Sequence, residues 1–413
     1  MPPEHVRGLF AAQEERASRS KWPARGFAMA REFGDLELGY LKRVLDSGVL
    51  GWAEGHLVTE FEDAFKEVVG ARHAIARNSA MTGLVDAVML AGAGVADEVI
   101  CDPLVQFGGI AALANNSVPV FADVRTDTYL LDPESVRAAI TPRTKAIIVT
   151  NLWGLCAELD ALRQIADATD VILIEDCAHT MYAHYREKHA GTWGHIGVFS
   201  FQQGKHLPTG DGSMLVTDSD EIGPRLRDLQ YWGESPQTLM LNHRMNEMTA
   251  AVGLGQLQRV RGYVEEYTAN LARWIEEVER VPWLRNRRVP EDCVQAGYQF
   301  ACTFEPELAA VGHDRFKAIC KEAGAPLGFG FTERPAYLYE FFQVPWAYGN
   351  RGCPTKCPWY AERTDYGYRE GLCPIAEELL PRLVTAGVMG VTHEEMGDRI
   401  ARFREAVRRA DEG

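Results

Sequence analysis

Basic charge is in short supply in this chain of 413 residues. Lysine and arginine number 43 against 58 acidic residues, a formal net charge of -15. Binding a phosphate backbone needs a basic face, so this balance argues against a nucleic-acid-binding protein. No stretch approaches the roughly 18 apolar residues of a membrane span. The opening "MPPEHVRGLFAAQEERASRSK" lacks the basic-then-apolar order of a secretory leader. Cysteines number nine, an odd count, and are scattered. That is expected of a reduced, cytoplasmic protein and not of a disulfide framework. Cys353 and Cys357 in "GCPTKCPWY" and Cys373 in "GLCPIAEE" fall short of a zinc site, which wants a fourth ligand and usually closer pairs. They read as proline-bounded loop cysteines. Internal repeats and low-complexity segments are absent too. No glycine-rich Walker or dinucleotide fingerprint follows the early strands, which removes the simplest nucleotide-binding reading.

What is there is ordinary globular composition, 46% hydrophobic and 24% charged. The length exceeds one typical core, so a large domain plus a smaller one is expected. Residues 1–33 read as an N-terminal arm, 34–280 as a large α/β domain and 281–413 as a smaller α+β domain. Two amphipathic helices, in "GDLELGYLKRVLDSG" and "TEFEDAFKEVVG", lead in, the second with a glycine stop. Then strands and helices alternate. "HAIAR", "EVICD", "VPVFADV", "TKAIIVTN" and "DVILIEDC" read as strands, and helical patterns separate them. Near-continuous apolar strands alternating with helices imply a mostly parallel sheet covered on both faces. Such sheets bind ligands beyond the carboxyl ends of their strands, so the polar residues just after each strand are the candidates. Past residue 212 a strand, "SMLVTD", precedes a long helical pattern that is bent or interrupted near its glycines.

After "HAIAR" comes "NSAMTGL". Ser79, Ala80 and Met81 open a helix, whose backbone N–H groups favour an anion such as phosphate; Ser79 also reads as a simple N-cap. After "EVICD", Phe107 stands beside two glycines, placed either to stack on a flat ligand or to pack in the core. After "VILI", Asp176 and His179 sit at the mouth of the most apolar strand. A carboxylate there needs a cationic or hydrogen-bonding partner, which a protonated ring nitrogen, a salt bridge or a helix start would each supply. Next come Ser200 and, five residues on, Lys205, a lysine between a buried strand and a loop. It is either a solvated loop lysine or an amine nucleophile. Together a phosphate cradle, an aromatic platform, a carboxylate and a lysine suit pyridoxal 5'-phosphate. On this reading Lys205 holds the aldehyde as a Schiff base and later shuttles a proton. Asp176 keeps the ring nitrogen protonated, and the phosphate is the anchor.

With these residues in view, the chain resembles the DegT/DnrJ/EryC1/StrS aminotransferases, fold type I pyridoxal-phosphate enzymes that act on keto-sugars and keto-cyclitols. The likeness runs from "GDLELGYLKRVLDSGVLGWAEGHLVTEFEDAFKEVVGARHAIARNSA" through "EDCAHTMYAHYREKHAGTWGHIGVFSFQQGKHLPTGDGSMLVTD" to "LNHRMNEMTAAVGLGQL". The resemblance implies catalytic roles for Lys205 and Asp176, ring stacking by Phe107, and phosphate contacts from Ser79, Ala80, Met81 and Ser200. It implies a further phosphate contact from Asn242 of a neighbouring subunit, hence a homodimer with composite sites. It places His179 near the cofactor's phenolic oxygen. The family's Ser-Gly-Thr turn is Ser79-Ala80-Met81 here, followed by Thr82; its "NYR" is "NHR" and its "GEGG" is "GDGS". A histidine replaces the lysine in related sugar dehydratases. Here the lysine stands at the expected spacing and His206 follows it, which favours transamination. "FSFQQGK" and "EDCAH" lean towards the scyllo-inosose aminotransferase-like branch, with glutamine or glutamate as donor and a role in aminoglycoside-like or other secondary metabolism. The alternatives are another pyridoxal-phosphate reaction, such as sugar dehydration or epimerisation, and a non-catalytic regulatory protein of the same fold. The aromatic-rich stretch 333–371 is expected to shape substrate access.

Overall fold

The computed structural model describes residues 31–230, 241–343, 353–355, 357–360 and 367–412. Of the arm expected over 1–33, the last three residues fall within them. Helices α1 (Asp35–Ser47) and α2 (Leu57–Val69) lead into strand β1 (His73–Arg77). Helix α2 stops where the sequence places a glycine: Gly70 takes the left-handed conformation, φ 73°, and its N–H caps the Lys66 carbonyl. The alternation then runs α3 (Ala80–Leu90), β2 (Glu98–Cys101), α4 (Phe107–Ala114), β3 (Val118–Phe121), α5 (Pro133–Ala139), β4 (Thr144–Thr150), α6 (Leu159–Thr169) and β5 (Ile172–Asp176). A small hairpin, β6 (His184–Tyr185) and β7 (Lys188–His189), precedes β8 (Ile196–Ser200) and β9 (Ser213–Thr217).

Seven of these strands form one sheet in the order β1-β9-β8-β5-β4-β2-β3. Strand β9 is antiparallel to both neighbours, β1 and β8, and the remaining pairs are parallel. The expected mostly parallel α/β sheet is thus present. Leu173 and Ile174 at the centre of β5 are fully buried. Each contributes about 1.5–3 kcal/mol of apolar transfer. After α7 (Ile222–Asp228), the long helical pattern beyond residue 246 resolves into α8 (Glu247–Leu257) and α9 (Val260–Val278). The break falls at Gln258 and Arg259, between Gly255 and Gly262.

The second sheet contains β10 (Leu284–Asn286), β12 (Gln299–Phe304), β13 (Leu327–Phe329) and β14 (Leu383–Gly387), in the antiparallel order β10-β12-β14-β13. The short β11 (Cys293–Val294) pairs with β6 of the N-terminal part. Helices α10 (His313–Ala323), α11 (Glu340–Gln343), α12 (Pro374–Leu379) and α13 (His393–Glu412) complete the described chain. A second hydrophobic core forms between this sheet, α10, α13 and the C-terminal half of α9, with Trp274, Phe300, Phe316 and Phe403 inside it. The first core covers the seven-stranded sheet and takes in Tyr337, Phe342 and Tyr368 from the aromatic-rich stretch. Those three rings surround Phe121 at centroid distances of 5.3–5.6 Å. Among the described residues, no cluster of three or more histidine, cysteine or acidic side chains could hold a metal. Nor is any helix there long and apolar enough to cross a membrane.

Candidate active site

Apart from Asn242, the candidate residues gather at one edge of the large sheet because each lies at or just after the carboxyl end of a strand. Strand β1 ends at Arg77, and Ser79 caps α3: its Oγ accepts the Thr82 N–H at 3.2 Å. The Thr82 hydroxyl turns back to Asn78 Oδ1 at 2.7 Å and the Ser79 carbonyl at 2.8 Å. The cap reading of Ser79 is therefore correct. The first N–H groups of α3, at Ala80 and Met81, have no intrahelical acceptor and leave an anion-favouring helix start. Ser213 ties this turn to the far side of the site. It is in register with Arg77 of β1 and Ser200 of β8, and its hydroxyl donates to the Ser79 carbonyl at 2.8 Å. Ser79 and Ser200 are thus held two strands apart across Ser213. The Ser200 hydroxyl receives the Gln202 N–H at 3.4 Å and stays partly exposed.

Phe107, the first residue of α4, is 46% exposed. The core does not use it, so the stacking alternative keeps its ring available. Strand β5 ends in "ED", and the pleat sends the two carboxylates to opposite faces. Glu175 faces inward as a strut. It accepts N–H groups from Gly191, Trp193 and Gly194 at 2.6–2.9 Å and the Asn151 amide at 2.9 Å. Asp176 faces the site, 3% exposed. Its Oδ1 accepts the Ala178 N–H at 3.0 Å. Burial raises its pKa, while the Lys205 charge pulls the other way. A cationic ring nitrogen is a partner of the kind this carboxylate needs.

Lys205 lies in a turn closed by its own N–H to the Gln202 carbonyl. It is partly buried, and its Nζ donates to Tyr298 Oη at 3.2 Å. His179 stacks on the same Tyr298 ring, centroids 3.9 Å apart and planes at 21°. Burial pulls the His179 pKa well below its usual value, helped by Lys205, His206 and Arg287. His206 is buried, donates to the Gly297 carbonyl at 2.8 Å, and is pushed down to about 4, chiefly by burial. Asn242 is exposed, on the segment beside the Ser79 turn: its own carbonyl accepts the Asn78 amide at 3.2 Å, and His243's carbonyl takes the Asn78 N–H at 2.8 Å.

The set fits pyridoxal phosphate by its donors: a helix start capped by Ser79 with Ser200 two strands away, an exposed aromatic ring, a buried carboxylate and an amine within its electrostatic reach. Two neighbours were not among the sequence candidates. Asp102 follows β2 and is bonded to the Leu104 and Val105 N–H groups at 3.0 and 2.9 Å; burial raises its pKa to about 6. Asp102 was visible in "EVICD" as one more polar residue after a strand. Tyr298 lies 93 residues from Lys205, and nothing local marks it.

The family profile described as "DegT/DnrJ/EryC1/StrS aminotransferase family" matches residues 32–374. The spore coat polysaccharide biosynthesis protein SpsC of Bacillus subtilis (strain 168) is 29% identical over 345 residues, covering 79% of this chain and 88% of SpsC. Among solved structures, S. venezuelae DesV in complex with a ketimine intermediate superposes with a TM-score of 0.77 at 27% identity, covering 98% of each chain. DesI, solved in the presence of its TDP-sugar product, gives 0.76 at 25% identity, covering 91% of each. The fold, the site's position and these likenesses agree: the chain belongs to the DegT/DnrJ/EryC1/StrS family and is a fold type I, pyridoxal-phosphate-dependent aminotransferase.

Proposed function

We propose that the protein moves an amino group from glutamine or glutamate to a keto-cyclitol or keto-sugar, in an aminoglycoside-like or other secondary metabolic route. The observation that carries the reading is a buried Asp176 carboxylate at the end of β5 within electrostatic reach of the Lys205 amine. When bound, pyridoxal phosphate supplies an aldehyde carbon and a ring that accepts the electron pair released at the donor α-carbon. Lys205 would hold the aldehyde through its Nζ, and that amine, once freed, would accept the proton from the donor α-carbon. Asp176 would keep the ring nitrogen protonated. Ser79, Ser200 and the N–H groups of Ala80 and Met81 would bind the phosphate, Phe107 would cover the ring, and His179 would serve its phenolic oxygen.

The printed descriptions of SpsC, a polysaccharide biosynthesis protein, and of DesI, solved with its TDP-sugar product, support a carbohydrate-like ketone. The free cyclitol leaning rests on "FSFQQGK" and "EDCAH" alone. Purified holoenzyme should show a visible cofactor band that bleaches on adding glutamine or glutamate. A band that ignores both donors would move the function to another donor or another pyridoxal-phosphate reaction.

The same proposal includes a cytoplasmic homodimer whose sites each take Asn242 from the other subunit, built from a large domain over 34–280 and a small one over 281–413. Equilibrium sedimentation should give a dimer. An active monomer whose specific activity does not change with dilution would contradict the composite site.

A further inference from the structure

The Lys205 amine is met by a side chain from the segment that enters the second sheet. Tyr298 immediately precedes β12, and its hydroxyl accepts from Nζ at 3.2 Å. That phenol is immobilised from several directions. Its ring lies on His179 at 3.9 Å. His179 Nδ1 accepts the Trp153 N–H at 3.4 Å, which leaves the proton of the neutral imidazole on Nε2. Trp153 has φ 54°, a left-handed conformation that a bulky side chain rarely adopts. Its carbonyl accepts from Arg287 and from Gln295, each at 3.1 Å, and the Leu152 carbonyl accepts from Arg287 at 2.8 Å. At Gly154 a Cβ would lie 1.9 Å from the Ala296 carbonyl oxygen, so this turn and the segment leading to Tyr298 are in direct contact. On its other flank, the Gly297 N–H goes to Thr268 Oγ1 at 2.9 Å and its carbonyl to His206, the residue after the lysine.

We propose that Tyr298 is a positioning residue for the aminotransferase reaction: its hydroxyl holds the Lys205 amine while that amine is detached from the cofactor, and its stacked ring fixes His179. The inference rests on Lys205 being the cofactor lysine. A detached lysine side chain samples many rotamers, and a proton transfer needs one of them. A rigid phenol within hydrogen-bond reach narrows that search without itself gaining or losing a proton. Tyr298 also puts the segment entering β12 in contact with the lysine, so a shift of that segment changes where the amine waits.

Tyr298→Phe keeps the stack and removes the hydroxyl. It should fold, with a melting temperature within about 2 °C of wild type, as expected for loss of one partly exposed contact. Its band should bleach with the better of glutamine and glutamate about 10- to 100-fold more slowly in a single turnover, the loss expected for one charge-assisted hydrogen bond. The α-deuterium isotope effect on bleaching should rise, because proton transfer becomes more rate-limiting. Without any turnover, the apoenzyme variant should also acquire the visible band more slowly on mixing with pyridoxal phosphate. Wild-type bleaching, isotope effect and uptake in Tyr298→Phe overturn the proposal. Should that variant not fold, Tyr298→Leu takes its place: slowed bleaching supports the proposal, and bleaching as fast as wild type overturns it. Full turnover in Lys205→Ala, or a wild-type band that neither donor bleaches, overturns the reading beneath it, and the proposal with it.

Discussion

Replacing Lys205 with alanine should abolish turnover while leaving the fold in place. A positioned general base contributes about 10²–10⁴-fold, and the variant also loses the covalent hold on the cofactor aldehyde. The expected fall in kcat is therefore at least about 10⁴-fold. Stability should barely move. Lys205 is partly exposed and belongs to neither hydrophobic core. Substitutions of that kind usually stay within about 0.5 kcal/mol. A chemical readout separates this role from a merely electrostatic one. Borohydride treatment of wild-type holoenzyme should leave the cofactor attached to the denatured chain, and the alanine variant should lose it. Lys205→Arg keeps the positive charge near Asp176 but offers no amine nucleophile, so it should be as inactive as alanine. Turnover close to wild type in either variant would sink the assignment of Lys205.

Much of this was legible in the sequence for a physical reason. Strands buried on both faces must be apolar end to end, so "DVILIEDC" announces both a central strand and the place where polarity returns. That place is the carboxyl end, and Asp176 stands on it. "HAIAR" and "SMLVTD" are the same kind of run, observed as His73–Arg77 and Ser213–Thr217. The sequence did not show that "SMLVTD" runs against its neighbours, because a buried strand looks alike in either direction. Nor did it show what Glu175, beside Asp176, would do until the pleat set the two carboxylates on opposite faces. The long pattern after residue 246 carried its apolar face through a real break, since the faces of α8 and α9 both meet cores and only the backbone changes at Gln258 and Arg259. Tyr298 and the aromatic rings around Phe121 were out of reach for another reason. An aromatic residue signals burial or contact, but its partner is chosen by tertiary placement, 93 residues away for Tyr298 and Lys205.

Asp176→Asn should separate the cofactor's demand on this residue from the fold's. The carboxylate is 3% exposed and accepts the Ala178 N–H at 3.0 Å. Burial raises its pKa, and Lys205 only partly offsets this. The sign follows. A carboxyl with a raised pKa in the folded state contributes stability that is complete below its unfolded pKa and is lost as pH rises through the folded one. In the apoenzyme near neutrality, the ionised group therefore opposes folding. Asparagine has nearly the same shape, keeps an oxygen for the Ala178 N–H, and carries no charge to bury. Apo Asp176→Asn should melt at or above wild type, with the gap opening as pH rises through the carboxylate range. With pyridoxal phosphate bound, the order should reverse, since the ring nitrogen loses its counter-charge. Turnover should fall on the order of 10²-fold or more, the usual scale for removing one preorganised electrostatic partner, while some cofactor binding remains through the phosphate. A purely structural aspartate would lower the melting temperature of apo and holo forms alike. Normal transamination by the variant would show that Asp176 does not face the ring nitrogen.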